Sequence, residues 1–156
     1  MKQVTYDNEL YQVAANTLEA LAMMFLVTED EAPIKGASET DQIVSVSFDG
    51  PFSGRLTLRV SESMLIELAA NMLGLMDADD ATIDQRHDAL RELSNVICGN
   101  LLPKLAGVDP VFNIHQPAMS EQIPEDADAT ARLLALEGRV ELWLCVDQTA
   151  TLFAPA

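Results

Sequence analysis

The chain has 156 residues, 49% hydrophobic and 22% charged, which is the composition of a folded protein and not of a disordered one. Its 25 acidic side chains against nine basic ones give a formal net charge of −16. A field of that sign repels phosphate backbones and anionic lipid, so nucleic-acid and membrane-surface partners are not expected.

The length suits a single domain over residues 1–156. The amino terminus, MKQVTYDNEL, lacks the basic region and apolar run of a signal peptide. The longest apolar run, Ala20 to Val27, is far short of the roughly 20 residues that cross a bilayer. Cys98 and Cys145 have no CxxC spacing and read as reduced thiols, so a cytoplasmic location is expected.

Residues 7–27 carry Leu10, Val13, Ala14, Leu18, Leu21 and Phe25 at helical spacing, with Met23 and Met24 as core filler. Residues 28–41 are polar, contain Pro33 and Gly36, and read as a loop. Two alternating runs follow. Val44, Val46 and Phe48 share one face, and Leu56, Leu58 and Val60 share another, with the turn-forming stretch Asp49–Gly54 between them. The pattern predicts an antiparallel hairpin with one buried face.

Ser61 or Ser63 is placed to cap a helix running to about Leu73, where Gly74 ends it. Asp77–Asp80 reads as a solvated connector. A long helix is predicted from about Thr82 to Ala106, with Gly107 beyond it and a kink or early end at Pro103. The last third is strand-like: a strand over 111–116, a loop around Pro124, a hairpin of 131–137 and 139–147 about Gly138, and a short strand at 149–153. In the hairpin's second strand Trp143 lies opposite the apolar face, either half covered or at a subunit contact. Each half of the chain offers a helix followed by a hairpin. The element order predicts an α+β fold, an antiparallel sheet with two long helices packed on one face.

On a helical wheel of residues 84–106, Leu90, Leu93, Ile97 and Leu101 form the core face. Asp88, Glu92, Asn95 and Gly99 gather on the opposite side at i, i+4, i+7 and i+11. Polar residues opposite an apolar stripe are what any surface helix shows. Yet asparagine and glycine are poor helix formers, and a merely solvated face would more naturally carry Lys, Glu or Gln. Glycine there lets another surface approach the helix backbone, and Asn95 offers both a donor and an acceptor. Other chemistry finds little support. His87 and His115 have no Ser/His/Asp or Cys/His pattern around them, and neither a metal-ligand cluster nor a phosphate-cradling glycine loop is present in the sequence.

The run DALRELSNVICGN, residues 88–100, resembles the signature of the CheC/CheX/FliY chemotaxis phosphatases: Asp or Ser, three residues, Glu, two residues, Asn, and a proline further along. Asp88, Glu92, Asn95 and Pro117 match it, with the proline slightly nearer than usual. FDGPFSGRLTLRVSESMLIELAANMLG, residues 48–74, resembles the family's hairpin-and-helix segment. A second motif is not found: after Asp7, Tyr11 and Ala14 stand where Glu and Asn would fall, so the chain is similar to the single-site CheX members. The resemblance implies hydrolysis of the aspartyl phosphate of a CheY-like receiver domain. Glu92 and Asn95 would be catalytic, Glu92 pairing with the receiver's lysine and Asn95 orienting the water. Asp88 is a motif position that would support Glu92, and Gly99, by its place on the stripe and not by the resemblance, would let the receiver dock close to the helix. The resemblance also implies no intrinsic cofactor, Mg²⁺ supplied by the receiver, and a homodimer. Two further readings stay open: a non-catalytic module that binds a receiver or a motor component, and a structural relative whose sheet serves only for dimerisation.

Overall fold

A computed structural model describes residues 6–147. Its elements run α1 (Asp7–Ala22), β1 (Gln42–Asp49), β2 (Gly54–Val60), α2 (Glu62–Leu73), a 3₁₀ turn (Ala78–Asp80), α3 (Ile83–Ala106), β3 (Asn113–Ile114), β4 (Ala118–Ser120), β5 (Ala129–Ala135) and β6 (Gly138–Val146). The six strands form one antiparallel sheet in the order β3-β1-β2-β6-β5, and β4 also pairs with β1. The fold is α+β, with the helices on one face of the sheet.

The period-two alternation of the strands dictates that face. Val44, Val46, Leu56, Leu58, Val140, Leu142 and Leu144 are all buried toward the helices. Leu10, Ala14 and Leu18 of α1 and Leu90, Leu93, Ile97 and Leu101 of α3 meet them. Each such leucine contributes about 1.5–3 kcal/mol through burial. The two halves interlock: α1 packs on β5 while α3 packs on β1, and β2 and β6 pair at the centre. The repeat of helix and hairpin is thus visible in the sheet. Phe48, Phe52 and Phe112 close one end with edge-to-face contacts at centroid distances of 5.0–6.0 Å.

Three details differ from the sequence reading. The first helix stops at Ala22, not 27, because Met23 turns left-handed (φ 54°) and its amide returns to the Glu19 carbonyl. The chain then runs alongside β5, with Leu26 bridging Ala135 and the Val27 amide bonded to Leu134. Met24 is buried, but Met23 and Phe25 are exposed. The predicted strand 111–116 shrinks to Asn113–Ile114, and the three-residue β4 beyond Pro117 was not anticipated. Ser61 is the residue before α2, yet its hydroxyl accepts the Arg139 amide instead of capping, and Ser63 donates to the Glu137 carbonyl. α3 runs to Ala106, the expected end, and Pro103 does not stop it early. The strand expected at 149–153 lies outside the described residues.

Gly138 is needed where it stands. Its φ is +153°, and a Cβ there would meet the Ser61 hydroxyl at 2.3 Å and Met64 Cβ at 2.8 Å. The next residue carries a charge into the interior. Arg139 is fully buried on the sheet face away from the helices, beneath the 28–41 loop. Its guanidinium donates to the Gly36 carbonyl, to the Asp41 carboxylate and, at 2.9 Å, to Glu141. Arg59 adds a second bridge to Glu141 at 2.8 Å and stacks 5.2 Å from the Trp143 ring centroid, leaving Trp143 half-buried. Two positive and two negative charges therefore pin the loop to the sheet.

Candidate functional site on helix α3

The site begins with how α3 is phased. Thr82 Oγ1 accepts from the Gln85 amide at 3.1 Å, and the Gln85 side chain accepts from the Thr82 amide at 2.9 Å. This capping box fixes where the helix starts, and so the direction of every later side chain. The core face locks against sheet and α1. Asp88, Glu92 and Asn95 are left exposed on the far side, with Gly99 half-buried beyond them. The stripe is where the periodicity put it.

Its members differ in what engages them. Asp88 Oδ1 accepts from Arg91 Nη1 at 2.8 Å, an exposed pair within one turn. Such a pair contributes about 0.5 kcal/mol or less, and it directs Asp88 to Arg91, not to Glu92. Glu92 and Asn95 make no side-chain hydrogen bond or ion pair among the described residues. A carboxylate and a carboxamide thus stand side by side, one turn apart, with all their bonding capacity facing outward.

Gly99 is not explained by the fold. Its φ is not positive, and a Cβ there would touch only Ile114 Cδ1, at an ordinary 3.8 Å. Pro103 follows four residues later, on the same exposed side. A proline has no amide hydrogen, so the Gly99 carbonyl loses its regular helical donor. The stripe therefore ends in a bare stretch of backbone with an acceptor left over.

The remaining chemical residues lie elsewhere. His115 follows β3 on the opposite face of the sheet, where its Nε2 meets Asp49 Oδ2 at 2.5 Å. That bond, with a weaker one from Asn113 at 3.3 Å, holds the Asp49 carboxyl below its usual range. Both line a polar cleft of about 600 Å³ with Ser45, Ser47 and Arg55. His87 sits on the flank of α3, beside Met119 of β4. Burial pushes the Cys98 thiol up to about 12. The Cys145 thiol is also raised, by burial and then by the Asp128 carboxylate. Neither thiol is poised as a nucleophile. Among the described residues no group of three or more His, Cys, Asp or Glu is placed to hold a metal ion, and no helix is long and apolar enough to cross a membrane. The wheel identifies the stripe, but the sequence does not single out Arg139: on the strand face it shares with Glu141 and Trp143, nothing local signals that a distant loop covers it.

The family model described as chemotaxis phosphatase CheX matches residues 42–132, which hold β1, β2, α2, the whole of α3 and Pro117. No curated protein matches the sequence. Solved structures agree on the fold at low identity. A CheX from Desulfovibrio desulfuricans is 18% identical over 90% of this chain and 97% of its own, with a TM-score of 0.68. A CheX from Vibrio vulnificus is 17% identical over 94% and 99%, also at 0.68. The CheX of a CheX–CheY complex with BeF3 and Mg from Borrelia burgdorferi is 17% identical over 92% and 98%, at 0.63.

Proposed function

The chain belongs to the chemotaxis phosphatase CheX family, and from that premise we propose that it accelerates hydrolysis of the aspartyl phosphate of a CheY-like receiver domain. The observation that carries this reading is the pair Glu92 and Asn95, exposed, adjacent and unengaged on a rigid helix.

An aspartyl phosphate is a mixed anhydride and already activated. No covalent intermediate on the phosphatase is needed, only a water held in line with the breaking bond. Asn95 enters beside the phosphorylated aspartate. Its carboxamide oxygen accepts a hydrogen bond from the attacking water and aims the lone pair at phosphorus. The water oxygen bonds to phosphorus, the bond to the aspartyl oxygen breaks, and the products are a carboxylate and inorganic phosphate that takes up the water's proton. Glu92 pairs with the receiver's active-site lysine and fixes the register of docking. Gly99 lets the receiver lie close against α3, and Asp88, through Arg91, completes the polar rim. Magnesium comes with the receiver: Asp88 is committed to Arg91, and a lone Glu92 carboxylate does not make a resident site. The domain is proposed to act as a homodimer. Its exposed apolar Phe25 and Leu136, opposite one another in the register set by the Leu26–Ala135 bridge, offer surface for that contact; sedimentation tests it.

The test is the lifetime of a phosphorylated receiver from the same genome, with and without the protein. Wild type is expected to shorten it, and Asn95→Ala to lose acceleration by about 100-fold, the scale of a lost positioning group, with unchanged circular dichroism. A wild-type rate in that variant overturns the role of Asn95. A receiver that binds with an unaltered phosphate lifetime makes the protein a docking module.

A further inference from the structure

A groove of about 430 Å³ runs between α1 and α3 on their outward side. Its floor is apolar, with Val13 and Leu21 of α1 and Val96 of α3. Asn16, Asn100 and Lys104 stand at its rim. Lys104 is exposed and makes no ion pair among the described residues. In a chain of net charge −16 it is a local positive point.

The groove is continuous with the stripe. Val96 follows Asn95 and Asn100 follows Gly99, each turned toward α1 by about 100°. From Glu92 to Gly99 the stripe extends only about 10 Å along the helix axis. A partner whose standard patch of about 800 Å², roughly 30 Å across, is centred on the stripe covers the groove as well. Two charged or polar side chains give register, but the weight of an interface sits in apolar side chains buried near its centre. The groove is the apolar concavity at that position, and Ala20 at its edge leaves the approach open.

We propose that the α1–α3 groove is the second anchor for the same receiver domain, taking an aliphatic or aromatic receiver side chain while Lys104 pairs with a receiver carboxylate beside it. The proposal rests on the receiver-docking reading of the stripe. It divides labour between the two helices: the stripe performs the chemistry, and the groove sets which receiver is held and how tightly. A receiver lacking an apolar side chain with an adjacent carboxylate at that position is a poor partner even with an identical phosphorylation site.

Ala20→Trp fills the groove from α1 and leaves α3 untouched; Lys104→Glu reverses the rim charge at an exposed position. Binding is measured with a receiver loaded with beryllofluoride and Mg²⁺, and turnover with the phosphorylated receiver. Ala20→Trp is expected to weaken binding at least tenfold and raise the half-saturating receiver concentration equally, with the maximal rate unchanged. Lys104→Glu is expected to weaken binding at low salt, with the difference fading as salt rises. If wild type binds and turns over the receiver and neither variant shifts affinity, the groove proposal is overturned and the phosphatase reading stands. If wild type binds without turnover, the phosphatase reading fails alone, and a tenfold loss in Ala20→Trp still supports the groove. If no receiver from the genome binds, both fall.

Discussion

Replacing Gly99 by alanine separates what the fold needs from what a partner needs. The residue lies inside α3 with an ordinary helical backbone, and a methyl there meets only Ile114 Cδ1 at 3.8 Å. No clash opposes the change, and a single van der Waals contact adds only about 0.1–0.2 kcal/mol. What remains is helix propensity, in which alanine exceeds glycine by about 0.8–1.0 kcal/mol. For a chain of this size that raises Tm by about 2–4 °C. Docking should move the other way. A methyl between α3 and a closely packed receiver costs about 1–3 kcal/mol, as overpacking does in a core. That corresponds to roughly 5- to 150-fold in affinity. The expected variant is therefore more stable and less active. Thermal denaturation followed by circular dichroism gives the first sign, and titration of the receiver in the dephosphorylation assay gives the second. A lowered Tm would mean that the fold itself demands glycine there. A raised Tm with unchanged half-saturation would mean that no partner approaches the backbone at Gly99.

Three other outcomes follow from geometry already described. Thr82→Ala removes the capping box of α3 and should destabilise the protein by about 1 kcal/mol, read as a fall of a few degrees in Tm. Arg139→Met leaves the buried Asp41 carboxylate and the half-buried Glu141 with only Arg59 to share; a loss of about 3–5 kcal/mol in urea denaturation is expected, together with faster proteolysis within residues 28–41. The thiols should react in sequence: at pH 8 a maleimide should label half-buried Cys145 slowly in the native protein, and Cys98, with its thiol pushed up to about 12, only after unfolding. Equal native labelling of both would contradict the packing of α3.

The legible parts of this structure are those whose cause lies within a few turns of chain. Leu90, Leu93, Ile97 and Leu101 define the orientation of α3, and the exposed stripe is then a matter of arithmetic. The central strands are equally plain, since Val44, Val46, Leu56 and Leu58 alternate cleanly. The misses have long-range causes. α1 ends at Ala22 because Leu26 and Val27 are drawn to β5, more than a hundred residues away in sequence, and no periodicity reports that pull. β4 is three residues at a sheet edge, held by its register with Ile43, Val44 and Ser45 and not by its own composition. Arg139 looks like a surface residue until the loop carrying Gly36 and Asp41 closes over it. The groove needed α1 and α3 to be placed side by side before Ala20 and Lys104 could be seen as neighbours.

The rigidity of α3 also has a kinetic side. Glu92 and Asn95 stand on a helix fixed at its start by Thr82 and along its length by the core, so a docking partner orders two side chains and no loop. The side-chain entropy lost is about 0.5–1.5 kcal/mol for each, and no loop-ordering cost is added to the translational and rotational loss that any association carries. Separation is governed by the same economy. Among the described residues no segment closes over the stripe, so the residence time of a docked receiver would be set by dissociation from an open surface. Under the proposed function, a protein built this way would work by brief visits, one copy serving many receivers in turn.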